Sequence, residues 1–271
     1  MYFNGSKNEI ALDFIPVFIG GPGRSGTTVL EATICSDFES GNVNEHLGEC
    51  GYLLKILTVF FEEYKNFNGA TNSYFNNSEQ EYFMYHSNLV RTILKDIWQH
   101  TGRPKNLVLK APAIFQHFPL LSQLIPNSKF ILTARNPLDI IASMKNVIDK
   151  YQEGEEFNNE YIKTACENLN FIYEVIEHKK KMLEGKILFV KYEDFIKGSL
   201  DKEIEIFLGT KIIEEKIWHS TLVPKETGWL TDKYNAPRQD SSIGNYTKEL
   251  NTEEINLIKE LCSGIINKFQ Y

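Results

Sequence analysis

FIPVFIGGPGRSGTTVL, residues 14–30, decides how the rest of the chain is read. An apolar run ends at Ile19, passes through a glycine-rich turn over 20–26, and continues into Thr27, Thr28 and an apolar helix start. This is the outline of a phosphate-binding loop: Gly21, Gly26 and Thr28 fall on the pattern G-x-x-x-x-G-K-[ST], with Thr27 in the place of its lysine. The glycines still let backbone N–H groups turn inward, and the helix starting near Thr27 still offers its positive end to an anion. What is lost is the point charge that reaches the outer phosphates of a triphosphate, and Arg24 stands inside the loop instead. The stretch predicts an anion site not built for a magnesium triphosphate. Taken alone, it also fits a glycine turn between strand and helix with no ligand.

Working outward, three further runs, 105–110 (KNLVLK), 129–134 (KFILTA) and 186–191 (KILFVK), are apolar and lack polar alternation. Together with 14–20 they fit strands buried on both faces, as in a parallel sheet. Helical patterns near 27–36, 46–63, 79–100, 137–150 and 158–183 lie between them, and 251–269 predicts a C-terminal helix capped by Asn251 or Thr252. The expected fold is α/β: a three-layer, P-loop-like domain with a central, mainly parallel sheet flanked by helices. One domain over 1–271 is expected, with helical insertions near 46–100 and 150–185. At 271 residues such a domain buries roughly 75% of the surface its unfolded chain exposes, so a full core is available.

Composition narrows the function classes. With 42% hydrophobic and 24% charged residues the chain reads as an ordinary soluble protein, and a net charge of −7 argues against a nonspecific grip on nucleic acid or anionic membrane. No apolar stretch approaches the ~20 residues of a membrane span, and the first residues lack the pattern of a signal peptide. Cys35, Cys50, Cys166 and Cys262 are scattered, without metal-ligand spacing, and read as reduced thiols of a cytoplasmic protein. The expectation is a cytoplasmic location, no metal, no nucleic-acid partner and no membrane span; a homodimer is left open.

A second motif supports the loop. In TARNPLDIIASMKNV, residues 133–147, Asn136 suits a helix N-cap and Pro137 the first helical position, so Arg135 ends the strand and Ser143 lies two turns in. Both can point at one phosphate above the strand ends, Arg135 through a forked, charge-assisted contact. A cross-domain salt bridge for Arg135 and a surface hydroxyl for Ser143 are the bland readings of each residue by itself.

GGPGRSGTTVL, LKAPAIF, FILTARNPLDIIASM and LFVKYEDF resemble, in order and spacing, the sulfotransferases that use 3′-phosphoadenosine 5′-phosphosulfate (PAPS), and most closely the branch that includes tyrosylprotein sulfotransferases and bacterial relatives. The resemblance touches most of the chain except 60–100 and 150–185. It implies that Gly23, Arg24, Ser25, Gly26, Thr27 and Thr28 hold the 5′-phosphosulfate, that Arg135 and Ser143 bind the 3′-phosphate, and that Tyr192 contacts adenine, although a core tyrosine with a satisfied hydroxyl fits that position equally. It makes Arg24 and Lys110 the cations for the sulfuryl group and the leaving phosphate; Lys110 also reads as a strand-end lysine in water.

The general base is sought in GNVNEHLGEC, which offers Glu45, His46 and Glu49. Glu45 lies 21 residues after Arg24, the spacing at which the resembling branch places its catalytic glutamate, and is the expected base. His46 rivals it through its ordinary pKa, and a helix start with Glu45 on its dipole is the structural alternative. Asn245 stands where relatives often have a basic residue at the nucleotide phosphates, and Thr231 is a weak match to a hydroxyl near the sulfonate. Aromatic residues crowd 59–98, and Trp229 and Tyr234 sit in a loop-like stretch; either set suits an acceptor wall, with core packing the commoner role of the first. The acceptor is expected to be a glycan or a small hydroxylated molecule. A P-loop nucleotide kinase and a noncatalytic nucleotide-binding module are the competing readings; the missing lysine and the missing strand-end acid count against the kinase.

Overall fold

The structure is a computed structural model that describes residues 9–37, 49–67, 73–76, 78–151, 156–217, 238 and 240–271. Four strands form one parallel sheet: β1 (Ile15–Gly20), β2 (Asn106–Lys110), β3 (Lys129–Ala134) and β4 (Ile187–Lys191), in the order β2-β1-β3-β4. The helices, in chain order, are α1 (Thr27–Ile34), α2 (Gly51–Lys65), α3 (Glu79–His100), α4 (Phe118–Leu124), α5 (Pro137–Tyr151), α6 (Asn159–Met182), α7 (Tyr192–Ile196), α8 (Asp201–Leu208), α9 (Tyr246–Glu249), α10 (Thr252–Leu261) and α11 (Ser263–Phe269). Parallel neighbours need long crossovers, and helices supply them, as the alternation of strand and helix patterns predicts.

Side chains alternate between two faces of the sheet. Val17, Ile19, Val108, Ile131, Leu188 and Val190 pack under α1, α7 and α8. Phe18, Leu107, Leu109, Phe130 and Leu132 pack against α2, α3, α4 and a 3-10 turn at Pro112–His117. Each fully buried Phe, Leu or Ile of this kind contributes about 1.5–3 kcal/mol relative to exposure. A third cluster joins α5, α6, α10 and α11 beside the end of β3. The aromatics of 59–98 divide: Phe60, Tyr82 and Phe83 are core, stacked or edge-on to one another, whereas Phe61, Tyr74 and Tyr85 are exposed.

Two features depart from the sequence reading. β4 is buried alternately rather than on both faces: Ile187, Phe189 and Lys191 are half-buried, Phe189 covered in part by Phe269 of α11 with ring centroids 5.7 Å apart, whereas β2 at the other edge of the sheet is buried throughout. The expected single C-terminal helix is two, divided at Cys262, where Ser263 and Gly264 follow; a glycine costs a helix about 1 kcal/mol relative to alanine. Its start is as expected: Asn251 and Glu254 form a reciprocal capping box. All four cysteines are free thiols, two buried and two half-buried.

The register sets the site. Ile19 is paired with Lys110, Gly20 with Leu132, and Ala134 with Lys191. The loop after β1, the last residue of β2, Arg135 after β3 and Tyr192 after β4 therefore share one edge, the carboxyl ends of the strands, where open α/β sheets bind their ligands.

Candidate functional site

Two glycines make the loop after β1 possible. Gly21 has φ +149°, and a Cβ there would meet the Thr133 carbonyl oxygen at 2.5 Å. Gly26, at φ +91°, caps α1, and a Cβ would lie 2.3 Å from a ring carbon of Tyr192. The loop thus threads between β3 and the tyrosine that opens α7. Ser25 is fully buried and fastens it: its hydroxyl donates to Pro22 O (2.6 Å) and shares a hydrogen bond with Thr133 Oγ1 (2.5 Å). The N-cap residue Gly26 has no side chain to cap α1, which leaves first-turn N–H groups for another acceptor. Thr27 is buried and Thr28 half-buried in that first turn, and Gly23 is half-buried with no atom within 4 Å of where its Cβ would be.

Arg24 is a non-glycine residue held at φ +65°. Such a conformation persists where surrounding contacts fix it, often at a functional site. Its Nε donates to Ser143 Oγ at 3.0 Å, joining the loop to the second turn of α5. Arg135 lies against the same loop: Nη1 donates to Arg24 O (2.9 Å), Nη2 to Ser242 O (2.6 Å), and the guanidinium carbon sits 4.3 Å over the Tyr192 ring. The Tyr192 hydroxyl shares a hydrogen bond with Ser242 Oγ (2.7 Å). The Arg135 backbone is fixed from beneath, its N–H donating to the Tyr173 hydroxyl (2.9 Å), which in turn donates to Arg135 O (2.6 Å). Asn136 caps α5 by accepting from Leu138 N (3.0 Å), and its own N–H donates to Glu193, whose carboxyl burial pushes above the usual range.

Positive charge gathers in this corner, with the Glu193 carboxyl near Arg135 but outside ion-pair distance. Burial, and then the charge of Arg135, pull the Arg24 guanidinium below its ordinary pKa. Among the described residues no carboxylate lies within ion-pair distance of either guanidinium, and the buried Arg135 Nε has no hydrogen-bond partner. Buried donors are normally satisfied and neighbouring cations normally compensated. A ligand with an anionic oxygen supplies both, so the residues present fit a phosphorylated nucleotide.

Lys110 closes the other side of β1. Its side chain is 6% exposed, and Nζ lies 3.4 Å from Glu49 Oε1, whose side chain is 57% exposed. Glu49 is held there by its backbone: it bridges Lys110 in parallel fashion, and Cys50 N donates to Lys110 O (3.0 Å). Lys110 is therefore a buried, paired cation and not a strand-end lysine in water.

Gly23, Arg24, Ser25, Gly26, Thr27, Thr28, Arg135, Ser143 and Tyr192 come together at one edge, with Lys110 at the neighbouring strand end. The Ser143 hydroxyl, expected beside Arg135, instead accepts from Arg24. Asn245 directs its amide to Glu249 Oε1 (3.2 Å). Glu45, His46, Thr231, Trp229 and Tyr234 lie outside the described residues. Sequence reasoning missed Thr133, Tyr173, Glu193, Asp139 and Ser242. Asp139 and Glu193 left a local signal, as acids in the first turns of α5 and α7.

Comparison with known proteins agrees with this geometry. A family model described as the sulfotransferase family matches residues 16–202, which hold β2, β3, β4, the loop and all of β1 but Ile15. A Caenorhabditis briggsae protein, provisionally named a protein-tyrosine sulfotransferase, is 25% identical over 239 residues, covering 84% of this chain and 77% of that protein. Two solved structures share the fold. The sulfotransferase domain from the curacin biosynthetic pathway has a TM-score of 0.56 at 18% identity, covering 92% of this chain and 98% of the domain. The sulfotransferase domain from the Synechococcus PCC 7002 olefin synthase scores 0.53 at 16% identity, covering 97% of this chain and 98% of the domain. A match over more than half of its length places the chain in the sulfotransferase family.

Proposed function

We propose that this sulfotransferase takes PAPS as its donor at the carboxyl edge of the sheet and delivers the sulfuryl group to a hydroxyl of a glycan or small molecule. The observation that supports the donor most directly is the pair of guanidiniums with no carboxylate at ion-pair distance among the described residues, together with the Arg135 Nε that has no hydrogen-bond partner among them. Arg135, with Ser143, would hold the 3′-phosphate, Tyr192 would lie against the adenine side, and residues 23–28 with the start of α1 would hold the 5′ end. When bound, the donor supplies an activated sulfur: its bond to the 5′-phosphate oxygen breaks, with the electron pair leaving on that oxygen, as the acceptor oxygen bonds to sulfur. Arg24 and Lys110 place positive charge where negative charge grows, in a site partly closed to water, where such charges act most strongly.

Glu45 is the base in this reading and takes the acceptor proton. A second assignment has an observation of its own: Glu49 is already ion-paired to Lys110, one oxygen at 3.4 Å from its Nζ, and its exposed side chain can meet an entering acceptor. Glu45→Gln and Glu49→Gln separate the two. The variant lacking the base is expected to bind the spent donor, 3′-phosphoadenosine 5′-phosphate (PAP), within twofold of wild type while transfer falls by about 10²–10⁴-fold, the worth of a positioned general base. Near-normal turnover in Glu45→Gln with a loss in Glu49→Gln moves the role to Glu49, and near-normal turnover in both moves it to His46.

Ser143→Ala tests the loop. Arg24 loses its hydroxyl anchor, and PAP affinity is expected to fall about tenfold by calorimetric titration, the worth of a hydrogen bond to a charged group. The acceptor is sought by offering radiolabelled donor to sugars, phenols and small alcohols. The name of the nematode relative adds a peptide tyrosine to that panel. Donor binding without transfer to any of them would favour the noncatalytic module.

A further inference from the structure

Resting on the donor reading above, we infer that Asp139 is a positioning residue that sets donor affinity by fastening a C-terminal strap, residues 240–246, across Arg135 and Tyr192. Asp139 lies in the first turn of α5 and is 2% exposed, yet it faces no cation within ion-pair distance among the described residues. Both of its oxygens are used on the strap backbone: Oδ2 accepts from Gly244 N (2.9 Å) and Oδ1 from Tyr246 N (3.1 Å). The chain just before the strap is fastened as firmly. Arg238, 6% exposed in its side chain, donates to both oxygens of Asp201 (2.6 and 2.8 Å) and to Phe195 O (3.1 Å), and pairs with Glu214.

Between these two anchors, Ser242 makes the contacts that matter to the site. Its carbonyl accepts from Arg135 Nη2 (2.6 Å), and its hydroxyl is bonded to that of Tyr192 (2.7 Å). One arm of the Arg135 fork is therefore oriented by the loop after β1, through Arg24 O, and the other by the strap. Releasing the strap frees the second arm and the Tyr192 hydroxyl together, and the guanidinium loses the orientation that leaves Nε available to an anion. Among the described residues no hydrogen bond or ion pair joins Lys110 to the strap, so the expected effect falls on donor affinity.

The test compares wild type with Asp139→Ala, Asp139→Asn and Gly244→Ala. Each is checked for a cooperative thermal transition, titrated with PAP, and followed by amide hydrogen exchange over 240–246 without ligand. Gly244 and Tyr246 amides are expected to be protected in wild type and to lose protection in Asp139→Ala, with PAP bound about 10- to 100-fold more weakly, as for lost hydrogen bonds to a charged acceptor. Asp139→Asn keeps one acceptor oxygen and falls between. Gly244→Ala adds a methyl that meets no atom within 4 Å, at a φ of +71° that a side chain rarely adopts. It loosens the strap through the backbone alone, weakens PAP about threefold to tenfold, and decides the matter should Asp139→Ala not fold. A merely structural role would lower melting temperature in these variants without moving PAP affinity in the folded protein.

A folded Asp139→Ala that binds PAP as wild type does overturns the role of Asp139, as do unprotected strap amides in wild type. Failure of wild type itself to bind PAP overturns the donor reading, and this inference with it.

Discussion

Arg135→Ala is expected to weaken PAP binding by about 100- to 1,000-fold, the cost of removing one partner of a desolvated, charge-assisted pair. The reason is geometric. Arg135 is 7% exposed, each terminal nitrogen donates to one carbonyl, Arg24 O or Ser242 O, and among the described residues Nε has no partner. Alanine removes the donor and also the link between loop and strap. Some of the loss should therefore appear as stability: two hydrogen bonds to a charged group contribute about 1.5–3 kcal/mol each before relaxation, so a drop of several degrees in melting temperature is expected. Arg135→Lys separates charge from shape. It keeps the cation, cannot fork between two carbonyls, and should recover only part of the affinity in a calorimetric titration.

Lys110→Met is expected to leave PAP affinity within a few-fold and to lower turnover by about 10²–10³-fold, the range for removing one preorganised charge from a transition state. Methionine replaces the stem of a side chain that is 6% exposed, so packing is largely preserved. Glu49, left alone, is 57% exposed and is solvated by water. Glu49→Gln runs the other way, because it leaves the ammonium buried without its carboxylate. The two variants should thus differ in stability, with the glutamine the lower, and thermal unfolding of both measures this. Equal turnover in Lys110→Met and wild type would remove Lys110 from the reaction.

Much of this was legible because strands and ligand motifs share short stretches of sequence. All four strands lie where apolar runs predict them, to within a residue at each end, since a strand buried on both faces needs an unbroken run of apolar side chains. β4 reads the same way in sequence although one of its faces is only half covered, because the cover of Phe189 is Phe269, about eighty residues later. The loop and the turn into α5 were legible for local reasons: Gly21 and Gly26 adopt conformations that side chains resist, and Asn136-Pro137 fixes where α5 starts.

What was not legible depends on contacts between distant segments. Nothing local in Ser242 indicates that its carbonyl meets Arg135, 107 positions away, and nothing in Tyr173 indicates that its hydroxyl brackets the Arg135 peptide. The pairing of Glu49 with Lys110 is of the same kind, across 61 positions. The division of the last helix at Cys262 was local but weak, resting on Ser263 and Gly264 alone.

We propose that the edge formed by the loop after β1, Arg135 and Tyr192 is a site for a 3′-phosphorylated adenine nucleotide. Thermal unfolding of the wild-type protein with PAP, beside Mg-ATP, tests it most directly. At 100 times its dissociation constant a ligand adds about 2.7 kcal/mol, which in a domain of this size raises the melting temperature by roughly 5–10 °C. A rise of that order with PAP and none with Mg-ATP is the predicted result. A rise with Mg-ATP and none with PAP would contradict the claim.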